Sequence, residues 1–123
     1  MKEIILDANA ILRYMLNDIP EQADITEKML LTRDVVILPE VIAEVVYVLL
    51  KYYGYSRKEA ERDILEFLID AECSDSILVT ALNAFGDKGL DFVDCLLYAY
   101  SARYDILTFD KDLRKLIDKG GKS

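Results

Sequence analysis

The sequence predicts an α/β protein, a three-layer sandwich in which a small central parallel sheet is flanked by helices. Strand-like and helix-like segments alternate along the chain, and the strand-like runs are continuously apolar instead of alternating, the pattern of strands covered on both faces. The chain has 123 residues, 53% of them hydrophobic, with only five Gly and two Pro, so it can fill a core. A single domain over residues 1–118 followed by a flexible C-terminal tail, 119–123, is the expected organisation.

Glu3, Ile4, Ile5, Leu6 and Asp7 read as a first short strand ending on a carboxylate, after which Ala10, Ile11, Leu12 and Tyr14 favour helix. Pro20 and Glu21 open a second helix, with Ala23, Ile25, Met29 and Leu30 on one face, that stops near Arg33. Val35, Val36, Ile37 and Leu38, bounded by Asp34 and Pro39, make a second buried strand. Residues 40–53 carry valines that suit either state, and the length of the run with Gly54 at its end decides for helix. Ser56 with Glu59 is a capping-box pattern, opening a helix with Ala60, Ile64, Phe67 and Leu68 on one face. These two helices should form a hairpin. A weak strand falls at 71–73. Asp75 and Ser76 cap a helix through Phe85, Gly86 and Gly89 punctuate, and 91–104 reads as helix. Asp105, Ile106, Leu107, Thr108 and Phe109 read as a last strand ending on Asp110, before a short helix to Asp118.

Composition narrows the chemistry. Fifteen Lys and Arg against 23 Asp and Glu give a formal charge of −8, which removes the electrostatic basis for a general DNA coat or a polybasic membrane binder. With no His, imidazole acid-base catalysis, His-ligated zinc and a Ser-His-Asp triad are all excluded. Carboxylates must carry whatever chemistry there is. The first sixteen residues are apolar, but Asp7, Asn9 and Arg13 interrupt them and no small-residue cleavage site follows, so they read as strand and helix and not as a leader. The longest apolar run, 45–50, is far below the roughly 20 residues that span a bilayer. Cys73 and Cys95 lack CxxC spacing and read as free thiols, which points to a cytoplasmic setting.

Asp7 and Asp110 stand at the C-terminal ends of predicted strands, the edge where open α/β sheets place their ligand crevices. Glu44 lies inside an otherwise apolar helical stretch, where a charge calls for a partner. Asp91 and Asp94, spaced i, i+3 at a helix start, point the same way, although capping alone would account for Asp91. Asp112 and Glu40 fit charges in a helix's first turn. If Asp7, Glu44, Asp94 and Asp110 converge, each like-charged pair about 4 Å apart costs about 4 kcal/mol at an effective dielectric of about 20. Such a cluster must protonate or bind cations. An all-oxygen set without His or Cys selects a hard ion, Mg²⁺ or Mn²⁺. Setting these four and Asp91 and Asp112 aside leaves acids and bases nearly balanced, so a nucleic-acid partner stays open.

The segments Ile5-Leu6-Asp7-Ala8-Asn9, Leu38-Pro39-Glu40-Val41-Ile42-Ala43-Glu44-Val45, Asp91-Phe92-Val93-Asp94-Cys95-Leu96-Leu97 and Leu107-Thr108-Phe109-Asp110-Lys111-Asp112, in this order and spacing, resemble a PIN-domain ribonuclease of the VapC toxin type. The resemblance spans nearly the whole chain. It implies a PIN-like fold and an acidic site of Asp7, Glu44, Asp94 and Asp110, with Asp91 and Asp112 as auxiliaries and Asn9 and Thr108 as polar residues that orient the acids. Cys95 stands where a small Ala is common in the family. The implied activity is metal-dependent hydrolysis of RNA phosphodiester bonds, with Asp7, Asp94 and Asp110 nearest to Mg²⁺ or Mn²⁺ and Glu44 as a further ligand or base. The resemblance also implies a homodimer and a small antitoxin partner whose Arg enters the acidic pocket.

Arg13, Lys111, Arg114 and Lys115 lie near the expected rim as candidates to hold the RNA backbone. Lys51, Arg57 and Lys58 beside Tyr52, Tyr53 and Tyr55 form a second basic stretch, for which surface solvation and core or interface packing are the simpler readings. The terminal Gly-Lys-Ser lacks the upstream glycine of a P-loop, since Leu116 occupies that place. Two other functions compete with the nuclease. An aspartyl phosphotransferase would need a second Asp that Asp7-Ala8-Asn9 lacks, and a receiver would need a strand-end Lys and an acidic pair at the first strand. A non-catalytic PIN-like binding module would not need all four acids.

Overall fold

A computed structural model describes residues 3–120, which form two strands and seven helices. They divide into two compact units, with the boundary between Ser74 and Asp75. The first unit contains β1 (Ile4–Ile5), α1 (Ala8–Leu16), α2 (Pro20–Thr32), β2 (Val35–Val36), α3 (Pro39–Tyr52) and α4 (Arg57–Asp70). β1 and β2 pair in parallel, Ile4 against Val35 and Ile5 against Val36. This is the small parallel sheet expected of a PIN-like α/β fold, though each strand is shorter than its apolar run. The reason is local: Asp7 already caps α1 and Leu38 stands at the N-cap of α3, so the backbone turns out of the ladder within two or three residues. Leu6 and Ile37 still bury their side chains just past the ladder.

The valine-rich stretch after Pro39 is helical because its apolar residues suit period 3.6 better than period 2. Ile42, Val45, Val46 and Leu49 are buried on one face of α3, and Glu44, Tyr47 and Lys51 are exposed on the other. After α3, Gly54 takes a left-handed conformation at φ +68, open to a Cβ but strained for any L side chain. Both arms of the capping box are present at Ser56: its hydroxyl accepts from the Glu59 N–H at 3.1 Å, and its own N–H donates to Glu59 Oε1 at 2.9 Å. α3 and α4 pack against each other as the expected hairpin. Ala60, Ile64, Phe67 and Leu68 bury one side of α4. The weak strand expected at 71–73 is instead the turn that closes α4. There the Ala71 and Cys73 N–H groups donate to the Phe67 and Leu68 carbonyls at 2.9 and 2.8 Å, with Glu72 left-handed at φ 53.

The second unit contains α5 (Ser76–Lys88), α6 (Phe92–Tyr100) and α7 (Lys111–Gly120). Its core is made by Leu78, Leu82, Phe85, Phe92, Cys95 and Leu113. Asp75 caps α5 by accepting from the Ile77 N–H at 2.8 Å. Gly86 does not punctuate this helix, which continues to Lys88 and stops at Gly89 in a left-handed conformation, φ +73. α6 ends four residues before the expected 104. The strand expected at 105–109 is absent among the described residues: Leu107 is 86% and Phe109 94% exposed. Its backbone groups turn to local side chains. The Arg114 guanidinium donates to the Ile106 carbonyl, and the Asp110 N–H donates to Thr108 Oγ1 at 3.1 Å. α7 runs to Gly120, so residues 119 and 120, expected to be tail, are its last helical residues. The Gly-Lys-Ser end, residues 121–123, lies outside the described residues. Cys73 and Cys95 are free thiols, as expected. Among the described residues no helix is long and apolar enough to cross a membrane.

The two faces of α4 give a direct test. Ile64 is fully buried and Ile69 is 75% exposed. Ile64→Ala should cost about 2–5 kcal/mol of unfolding free energy and Ile69→Ala about 0.5 kcal/mol or less, measured by urea denaturation.

Candidate active site

Of the acids selected in the sequence, Asp7, Asp91, Asp94, Asp110 and Asp112 occupy helix starts, and Glu44 lies further along α3. In the first, Asp7 is exposed and caps α1, its Oδ1 accepting from the Ala10 N–H at 2.8 Å. It follows directly from β1 and the buried Leu6, so the strand's end and the helix's start fix it together. Asn9 is exposed in the first turn of α1. Glu44 departs from expectation. It is not a charge enclosed by apolar neighbours that calls for a partner but an exposed carboxylate, because Ile42, Val45 and Val46 turn to the opposite side of α3. Arg13 is tied into the fold by an ion pair with Asp18 at 3.1 Å and a hydrogen bond to the Tyr53 hydroxyl at 3.4 Å.

In the second unit three carboxylates act on one another. Asp91 caps α6 by accepting from the Asp94 N–H at 2.8 Å. Asp110 does the same for α7, accepting from the Leu113 N–H at 2.8 Å. Asp94, in the first turn of α6, is half-buried, and its carboxyl is held above the usual range for Asp by burial first, then by the negative charges of Asp91 and Asp110. The positive end of α6 favours the ionised form, so burial and like charge outweigh the helix here. Thr108 fixes the turn before Asp110 through the hydrogen bond already described. Asp112 is exposed in the first turn of α7. Of the candidate RNA contacts on this unit, Lys111 and Lys115 are exposed. Arg114 spends its guanidinium on the Ile106 carbonyl and on Asp118 at 3.4 Å.

The donor chemistry fits a hard divalent cation: carboxylate oxygens, one carboxyl raised by burial and then by like charges, and no His in the chain. Among the described residues no three such side chains close into a ligand cluster. Asp91 and Asp110 each commit one oxygen to a backbone N–H.

Sequence reasoning missed a second acidic region. In the first unit a cavity of about 380 Å³ is lined by Asp24, Glu27, Asp63, Glu66 and Asp70 around Tyr14. The Tyr14 hydroxyl donates to Asp70 Oδ2 at 2.8 Å, and burial together with that carboxylate pushes its pKa up to about 12. The signal was present in the helical spacing of Asp63, Glu66 and Asp70 on α4 and of Asp24 and Glu27 on α2.

The model of the PIN domain family, a family of nuclease-type domains, matches residues 4–119. Comparison with curated proteins and with solved structures found no match.

Because ionised Asp94 is disfavoured in the folded protein, its contribution to stability is fully present at pH below its unfolded value and is lost as pH rises through the raised folded value. Asp94→Asn should therefore melt higher than wild type at pH 7 in the presence of chelator. Thermal melts repeated at pH 4 should show the difference shrinking.

Proposed function

Because the chain belongs to the PIN domain family, we propose that it is a metal-dependent endoribonuclease, the toxin of a toxin-antitoxin pair, with Asp7, Glu44, Asp94 and Asp110 as its catalytic acids. The observation that supports this reading is the half-buried Asp94, its carboxyl raised first by burial and then by the charges of Asp91 and Asp110, in a chain that has no His to share acid-base work. Perturbed carboxyls of this kind gather where a protein does chemistry.

Asp7, Asp94 and Asp110 are the residues that would hold Mg²⁺ or Mn²⁺. When bound, the ion supplies a more acidic water and neutralises charge developing on the phosphate oxygens. The protein's own share of the work follows from how each acid is held. Asp7 and Asp110 are fixed by their caps, which leave one oxygen of each rigidly presented. Glu44, exposed on α3, would serve as a further ligand or as the base. Asp91 adds negative charge beside Asp94 and orients the first turn of α6. Thr108 steadies Asp110, and Asn9 and Asp112 are polar neighbours of the same two helix starts.

A homodimer and a small antitoxin complete the reading. Leu107 and Phe109 are almost fully exposed, and Leu31 and Ile69 are more than 70% exposed, apolar side chains that a partner would cover. An antitoxin Arg would satisfy the acids by bidentate contact and displace the ion. The free thiols suit a cytoplasmic setting.

Purified protein supplied with Mg²⁺ or Mn²⁺ should cleave single-stranded RNA, and chelator should abolish the cleavage. Asp7→Asn, Asp94→Asn and Glu44→Gln should each lower kcat by about 100-fold or more with circular dichroism unchanged. Undiminished cleavage by folded Asp94→Asn protein would refute the assignment.

A further inference from the structure

The second unit also holds a cavity of about 360 Å³ in which Lys88, Lys115 and Lys119 face a single carboxylate, Asp112, with Leu90 and Leu116 as apolar wall. In a chain of formal charge −8, three cations at one cavity are a local reversal of sign. The fold builds it from two elements. Lys115 and Lys119 are i, i+4 on α7 and share a face. Lys88 is the last residue of α5, and the left-handed Gly89 then turns the chain so that Leu90 follows into the same cavity. Among the described residues no ion pair holds these lysines.

Two walls of the cavity lead directly into the acids. Leu90 precedes Asp91, the cap of α6, and Asp112 follows Asp110, the cap of α7, by two residues. An anionic strand brought to those acids meets repulsion from the whole chain and needs a nearby cation to hold it. Arg13 and Arg114 are spent within the fold. We propose that the Lys88, Lys115 and Lys119 cavity receives a backbone phosphate of single-stranded RNA next to the scissile bond. The proposal rests on the nuclease reading above. Leu90 and Leu116 give the adjoining ribose a surface to pack on, and contact with phosphate alone makes the subsite indifferent to base sequence.

The test uses a fluorescent single-stranded oligoribonucleotide, with binding followed by anisotropy in chelator and cleavage measured separately in Mg²⁺. Lys88→Ala, Lys115→Ala and Lys119→Ala should each weaken binding about fivefold and lower the slope of log affinity against log salt by about 0.7. In cleavage they should raise KM and leave kcat unchanged. Lys115→Arg should retain binding, and Lys28→Ala, at an exposed lysine of α2, should change neither quantity. Wild-type affinity and salt slope in all three cavity variants would overturn the proposal, as would a wild type that binds no RNA. Affinity for adenosine monophosphate that depends on these lysines, beside RNA affinity that does not, would also overturn it and make the cavity a free-nucleotide site. Lysine-dependent binding without any Mg²⁺-supported cleavage would support the cavity assignment and sink the nuclease reading. Cleavage with lysine-independent binding would do the reverse.

Discussion

Burial of Asp94 among like charges at the start of α6 is the constraint on which the proposed chemistry rests. Asp94 sits half-buried in the first turn of that helix, where the helix's positive end should make ionisation easy, yet burial and the charges of Asp91 and Asp110 hold its carboxyl up. A fold tolerates such an arrangement at a cost in stability, and sites that carry function are where the cost is found. With no His in the chain, relief can come from a proton, a hard cation or a basic side chain supplied from outside. The first inactivates an acid, the second fits a nuclease, and the third fits an inhibitor.

The acids proposed for the site are also helix caps. Asp7, Asp91 and Asp110 each accept a hydrogen bond from a backbone N–H of the helix they open. A cap fixes one carboxylate oxygen against the backbone and points the other away from it, which positions an acid without a second layer of supporting side chains. At Asp91 the structure has the cap, and a cap leaves room for the proposed site role beside it. The short strands follow from the same economy, because β1 and β2 end where the next helix begins.

Much of this was legible in advance for physical reasons. The capping box at Ser56, the end of α3 at Gly54 and the parallel pairing of two apolar runs follow from local stereochemistry and from period, and the structure has them. Residues 105–109 were misread because an apolar run does not reveal whether its side chains are buried. Leu107 and Phe109 are exposed, and Arg114, from the following helix, takes the carbonyl a strand neighbour would have used. Glu44 was misjudged in the same way: valines on both sides of it suggested enclosure, but period 3.6 carries the buried ones to the far face. The pairing of Arg13 with Asp18 and Tyr53, and the meeting of Lys88 with Lys115 and Lys119, depend on tertiary placement that spacing along the chain does not encode.

If carboxylate repulsion is what a hard ion relieves, binding of that ion is the most direct measurement, since it does not require the RNA target to be known. Calorimetric titration of the purified, chelator-treated protein with Mn²⁺ at pH 7 should show saturable binding that is lost in Asp94→Asn. Absence of saturable binding, or binding by Asp94→Asn equal to that of the wild type, would contradict the assignment of these acids to a metal.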